Sequence, residues 1–149
     1  MPLVYEATEK DAKTLTELTL LSKGHWGYTL EQLKEWTAEL TITAHYLRTF
    51  QVYKLVDEGE IIGYYSWAGK PPLALLDNLF IHPEHLGKGY GRLLMEDFLA
   101  RIKAGNFKLA RLDADPNAAD FYTKFGFVKV GQLQSTIPGR FLPIMERKL

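Results

Sequence analysis

The amino-acid sequence predicts an α/β (α+β) fold in which helices flank a mixed sheet. Three observations carry that expectation. Residues 73–81 are apolar except at Asp77 and Asn78, and Pro83 stops the run, as expected for a buried strand. Gly87, Gly89 and Gly91 follow at every second position and open a helical pattern through Leu93, Leu94, Phe98, Leu99 and Ile102. Upstream, residues 50–57 and 61–68 are strand-like runs joined by Glu58-Gly59-Glu60, which has hairpin turn chemistry.

The remaining elements fall around these. Residues 3–6 read as a short opening strand. Leu15, Leu18 and Leu21, with Leu20 beside them, give residues 11–21 an amphipathic helical stripe, and Gly24 is placed to cap its end. Thr29 can cap a second helix carrying Leu30, Leu33, Trp36 and Leu40, and Thr43 a single turn through Leu47. Residues 69–72 form a loop into the apolar strand. The helix after the glycines runs to about Ala104, where Gly105 and Asn106 stop it, and residues 108–113 are a strand. Asp115 before Pro116 starts a last helix, with Phe121 and Phe125 expected on its core face and Gly126 at its end. Residues 127–130 and about 140–146 are the final strands, linked by a turn at 135–139. The order is thus β-α-α-β-β-β-α-β-α-β-β, about seven strands and four helices in one domain, 1–149.

Composition narrows the function. Eighteen basic and eighteen acidic residues cancel, which argues against nucleic acid or an anionic membrane as partner. Cysteine is absent, so there is no disulfide, thiolate metal site or cysteine nucleophile. No apolar run approaches the roughly 20 residues of a membrane span, and the acidic start shows no signal peptide, so the cytoplasm is expected. His25 has no second ligand at a useful spacing, so no metal site is expected.

Amides of a glycine loop at the positive end of a helix dipole can hold a phosphate. Lys88 is followed by Gly89 rather than Ser or Thr, which excludes a P-loop, and Arg92 stands where a dinucleotide fingerprint needs glycine. Leu86-Gly87-Lys88-Gly89-Tyr90-Gly91 instead resembles the pyrophosphate loop of the GNAT acyltransferase superfamily, Gln/Arg-x-x-Gly-x-Gly/Ala, with Leu86 in the Gln/Arg position. The segment from Asp115 to Phe127 resembles a second family motif, Asn-x-x-Ala-x-x-Phe-Tyr-x-Lys-x-Gly-Phe. It has one misplacement, with Ala118 and Ala119 filling the small positions. The resemblance covers roughly residues 52–127.

That resemblance implies a mostly antiparallel sheet splayed between the fourth and fifth strands, with acetyl-CoA as co-substrate in the gap. Main-chain groups of Leu79, Phe80 and Ile81 would pair with the pantetheine arm, and one amide would polarise the thioester carbonyl. Amides from Gly87 to Arg92 would hold the pyrophosphate, with Lys88 or Arg92 adding charge. Asn117 and Phe121 fall at cofactor contacts, and Tyr122 at the proton donor to the departing thiolate. An ordinary phenol pKa of about 10 suits that role. The general base is open among Asp77, Asn78, His82 and Asp113, or a water chain. Asp115 reads as a helix cap and His85 as a surface residue.

Outside the resemblance, an acceptor pocket is expected from His25, Trp26 and Tyr28 in their glycine-bounded loop and from Tyr64, Tyr65 and Trp67. Arg140 is a candidate for an acceptor carboxylate or phosphate. The expected activity is direct N-acetyl transfer to a primary amine of a small molecule or a chain terminus. A non-catalytic acyl-CoA sensor and a nucleotide-binding protein are the alternatives. An edge strand near the C-terminus is compatible with a homodimer.

Overall fold

The computed structural model describes residues 1–149. Seven strands form one sheet: β1 (Leu3–Glu6), β2 (Gln51–Asp57), β3 (Glu60–Lys70), β4 (Leu73–Ile81), β5 (Leu109–Asp113), β6 (Val128–Gln134) and β7 (Phe141–Lys148). Five helices accompany them: α1 (Ala12–Gly24), α2 (Leu30–Leu40), α3 (Ala44–Thr49), α4 (Tyr90–Ala104) and α5 (Ala119–Thr123). The sheet order is β1-β2-β3-β4-β5-β7-β6. The β1–β2, β2–β3, β5–β7 and β6–β7 pairs are antiparallel, and β4 runs parallel to β5. That parallel ladder runs from Leu73–Leu109 to Leu75–Arg111, although both strands continue past it. The chain divides into two compact units, and the dividing line falls inside β3, β4 and α4.

The first unit comprises Met1–Trp67 with Asn78–Phe98. Its core packs Leu15 and Leu18 of α1 against Ile42, Val52 and Tyr64, with Phe50 and Phe80 at the margin. The stripe expected in α1 is therefore the buried one, although Leu21 is exposed. Tyr64 and Tyr65 are fully buried rather than pocket-lining, because each hydroxyl finds a partner. Tyr64 pairs with Thr19 at 2.5 Å and Tyr65 donates to Asp97 at 2.5 Å. Two expectations about the first helices change. Gly24 is the last residue of α1, and the left-handed turn (φ 84°) comes at Gly27. Leu30 lies out in solvent, so Trp36 is the one buried residue of α2. The hairpin turn takes the left-handed geometry at Glu58 and Gly59 (φ 50° and 80°) that a two-residue connection requires.

The second unit comprises Ala68–Asp77 with Leu99–Leu149. Ala74, Leu76, Ile102, Phe107, Ala110, Leu112, Phe127 and Met145 are buried there. β3 runs on to Lys70, shortening the expected loop to a turn at Pro71-Pro72. β6 extends to Gln134 rather than stopping at Val130, because β7 continues to pair with it as far as Gln134–Phe141. The ladder slips between Lys129 and Gly131. In α5 the buried side chain is Tyr122, while Phe121 and, two residues past the helix end, Phe125 are half-buried and touch each other.

Candidate active site

The glycine loop belongs to the first unit. β4 ends at Ile81, and His82 Nδ1 accepts the backbone N–H of Glu84 at 3.1 Å, capping a single turn at Pro83–His85. That bond commits Nδ1 as acceptor, so the neutral ring carries its proton on Nε2. Gly87 and Gly89 sit at φ 77° and 80°, a backbone conformation in which a side chain would be strained. A Cβ on either would meet no atom within 4 Å, so the loop lies open to a ligand. Helix α4 starts at Tyr90, and its first ladder bond runs from Leu93 N to Gly89 O at 3.1 Å. The amides just before Leu93 are thus the unpaired donors of a helix N-terminus, in a helix of fifteen residues. Lys88 and Leu86 are exposed, and Arg92 pairs with Glu96 at 2.8 Å on the solvent side. A polyphosphate fits this backbone, on donors and open space alike.

The polar interruption of β4 separates into two cases. Asp77 is exposed. Asn78 is tied into a buried hydroxyl network, and the donors of that network can be ordered. Thr19 Oγ1 donates to Leu15 O at 2.7 Å, so it must accept from Tyr64, and the Tyr64 oxygen then accepts from Asn78 Nδ2 at 3.3 Å. Asn78 Nδ2 also donates to the Tyr46 hydroxyl at 3.2 Å, and Asn78 N to Ser66 Oγ at 3.2 Å. Both amide protons are spent inward. An amide has no basicity for proton abstraction at neutral pH, so this network gives Asn78 a fixed position rather than a base's role. Leu79 and Phe80 are half-buried and Ile81 is buried.

The aromatic loop is also in the first unit. His25 and Trp26 meet edge to face at 5.6 Å, with Trp26 exposed. Tyr28 packs edge to face on Trp36 at 4.9 Å, and Lys23 Nζ sits 5.5 and 5.4 Å from the two ring centres. Trp67 is half-buried, tilted against Phe98 at 6.1 Å.

Tyr122 lies in the second unit, buried beside Phe127 at 6.1 Å. Burial, and then the nearby Asp115 carboxylate, push its pKa well above the ordinary phenol value. Asp115 caps the turn that leads into α5 by accepting Asn117 N at 2.9 Å. Asn117 Nδ2 donates to the same oxygen at 2.9 Å, which braces the turn. Arg140, expected to bind an acceptor anion, has its guanidinium on Asp115 at 3.0 Å and on Ser135 at 2.7 Å. Sequence reasoning missed that pair, since nothing in the spacing of residues 115 and 140 announces it. No group of three or more His, Asp or Glu side chains is placed to hold a metal ion.

Comparison with known proteins places the chain among relatives. Residues 48–129 match the family model described as the acetyltransferase (GNAT) domain. Among curated proteins, an uncharacterized N-acetyltransferase ycf52 of Porphyra purpurea is 30% identical over 56 residues, 38% of this chain and 32% of that protein. The matched stretch therefore spans about a third of the relative's length. Two solved structures share the fold across the whole chain. One is a GCN5-related N-acetyltransferase from Rhodopseudomonas palustris (TM-score 0.85, 22% identity, 100% of this chain and 96% of that one). The other is the PaiA N-acetyltransferase from Thermoplasma acidophilum, solved in complex with coenzyme A (TM-score 0.83, 20% identity, 100% and 99%).

Proposed function

The chain belongs to the GNAT acetyltransferase family, and on that premise we propose that it moves the acetyl group of acetyl-CoA directly onto a primary amine. The acceptor proposed is a small molecule or a chain terminus. The observation that carries this reading is the open glycine backbone at the N-terminus of α4, where Gly87 and Gly89 leave room for a pyrophosphate beside unpaired amides. Coenzyme A supplies an activated acetyl thioester and a polyphosphate handle. In this reading the amides from Gly87 to Arg92 take the handle, with Lys88 adding charge and Leu86 and Tyr90 flanking it. Main-chain groups of Leu79, Phe80 and Ile81 align the arm, and one of their amides draws electron density from the acetyl carbonyl. Asn117 and Phe121 are proposed cofactor contacts. The amine forms a C–N bond to the acetyl carbon as the C–S bond breaks, the amine gives one proton to a base, and the departing thiolate takes one from solvent. Tyr122 supports the departing sulfur as hydrogen-bond donor, and Asp77, an exposed carboxylate, is the candidate to take the amine's proton. His25, Trp26, Tyr28 and Trp67 are proposed to form the acceptor side. Residues 1–149 are proposed to act together as one domain, in the cytoplasm, since the co-substrate is an intracellular metabolite.

A melting series tests the reading. Acetyl-CoA, CoA, ATP and NAD are offered separately, each in excess. A ligand at about 100 times its Kd adds roughly 2.7 kcal/mol of stability, several degrees in Tm. A shift with the CoA ligands alone is expected, followed by amine-dependent thiol release. A larger shift with ATP or NAD would reverse the assignment of the loop.

A further inference from the structure

The connection between β6 and β7 is docked on the start of α5, and Arg140 makes the joint. Its Nη2 donates to Asp115 Oδ2 at 3.0 Å and its Nη1 to Ser135 Oγ at 2.7 Å. The pair is shielded, with 14% of the Arg140 side chain and 15% of the Asp115 side chain exposed. The other oxygen of Asp115 holds the backbone and side-chain N–H groups of Asn117, so the carboxylate is gripped from both sides. The connection is itself braced. Ser135 N donates to Arg140 O at 2.9 Å, Arg140 N to Ile137 O at 3.1 Å, and Gln134 Nε2 reaches the carbonyls of Ser135, Ile137 and Arg140. From Asp115 the chain turns through Pro116–Ala118 directly into α5, which has five residues and one buried side chain, Tyr122. A helix this short has little stability of its own, so its orientation is set by what holds its ends.

We propose that Arg140 is a positioning residue for the hydrogen-bond donor to the departing sulfur: its grip on Asp115 fixes the start of α5 and, through it, the Tyr122 hydroxyl. This rests on the reading of Tyr122 as the group that serves the departing sulfur. It replaces the acceptor-binding role expected of Arg140, because a guanidinium that left Asp115 for a ligand would strand a shielded carboxylate. A hydroxyl displaced by a fraction of its hydrogen-bond length loses rate without losing substrate affinity.

A double-mutant cycle on the full chain tests this. Arg140→Gln is expected to lower kcat roughly fivefold or more, with amine KM within about twofold and the CoA-induced melting shift retained. Arg140→Lys should restore most of the rate, since an ammonium can still hold Asp115. In a Tyr122→Phe background, Arg140→Gln should cost nothing further, because it acts only through that hydroxyl. An unchanged kcat in Arg140→Gln, or a raised amine KM in both backgrounds, would overturn the positioning role and, in the second case, return Arg140 to the acceptor. Tyr122→Phe without effect would overturn the donor reading itself, whereas damage from Tyr122→Phe with a silent Arg140→Gln would overturn the positioning role alone. If Arg140→Gln does not fold, Ser135→Ala, which loosens the guanidinium from its other side, takes its place in the cycle under the same expectations.

Discussion

Burial and the carboxylate of Asp115 act in the same direction on the Tyr122 hydroxyl, both favouring its neutral form. Sequence alone suggested a phenol matched to a thiol, at a pKa of about 10. The folded environment makes it a weaker acid than that, so a complete handover of its proton to a thiolate runs uphill. Its contribution is then a firm hydrogen bond to the sulfur as charge develops there. This has a measurable consequence. As pH rises, kcat/KM should climb while the amine loses its proton, and it should show no falling limb from Tyr122 below about pH 10. Tyr122→Phe should lower turnover about tenfold or more at every pH while leaving CoA affinity nearly unchanged. A falling limb near pH 8–9 in the wild type that disappears in Tyr122→Phe would contradict this account. The same residue marks a limit of sequence reading. Its motif was visible, but the shielded Arg140–Asp115 pair beside it joins residues from separate elements, which no local spacing reveals.

Elements were legible where their ends carry backbone chemistry. Residues 73–81 were expected as a strand and β4 has those bounds, set by the diproline turn before it and His82-Pro83 after it. Thr29 was expected to cap α2, and it does so reciprocally: Gln32 N donates to Thr29 Oγ1 at 3.1 Å and Thr29 N to Gln32 Oε1 at 2.9 Å. Where tertiary pairing decides the extent, the sequence was silent. Residues 131–134, GQLQ, have weak strand preference and are strand because β7 lies beside them. α2 illustrates the energetic side of this. With Trp36 as its one buried residue, it has little packing to hold it, so the capping box carries an unusual share of its stability. Thr29→Ala is expected to cost about 1 kcal/mol, expressed as local opening of α2. Amide hydrogen exchange should accelerate roughly fivefold across residues 32–36 with the global Tm almost unmoved. Equal acceleration throughout the chain would place α2 inside the cooperative core instead.

At the scale of the whole molecule the charges balance, eighteen against eighteen, with a sequence pI near 6.9. Long-range repulsion is therefore small around neutrality, and the pH dependence of stability falls to individual groups with altered pKa values. Asp11 is the carboxylate to watch. Burial pushes its pKa up, but the Thr8 N–H at 2.9 Å and the Lys54 ammonium at 2.9 Å outweigh it and hold the pKa below the usual value. A carboxylate lowered in the folded state adds stability that is fully present above its unfolded pKa, about 3.9, and is lost as pH falls through the folded value. It joins the approach to α1 to strand β2, so what it holds is the seam between a helix and the sheet of the first unit. Asp11→Asn keeps an oxygen for Thr8 but gives up the charge. Denaturant melts should find the variant about 1 kcal/mol less stable at pH 6, with the gap closing as the pH approaches 3, where the wild-type carboxylate is itself becoming neutral. A gap as wide at pH 3 as at pH 6 would mean that packing around residue 11, not its charge, is what the substitution removes.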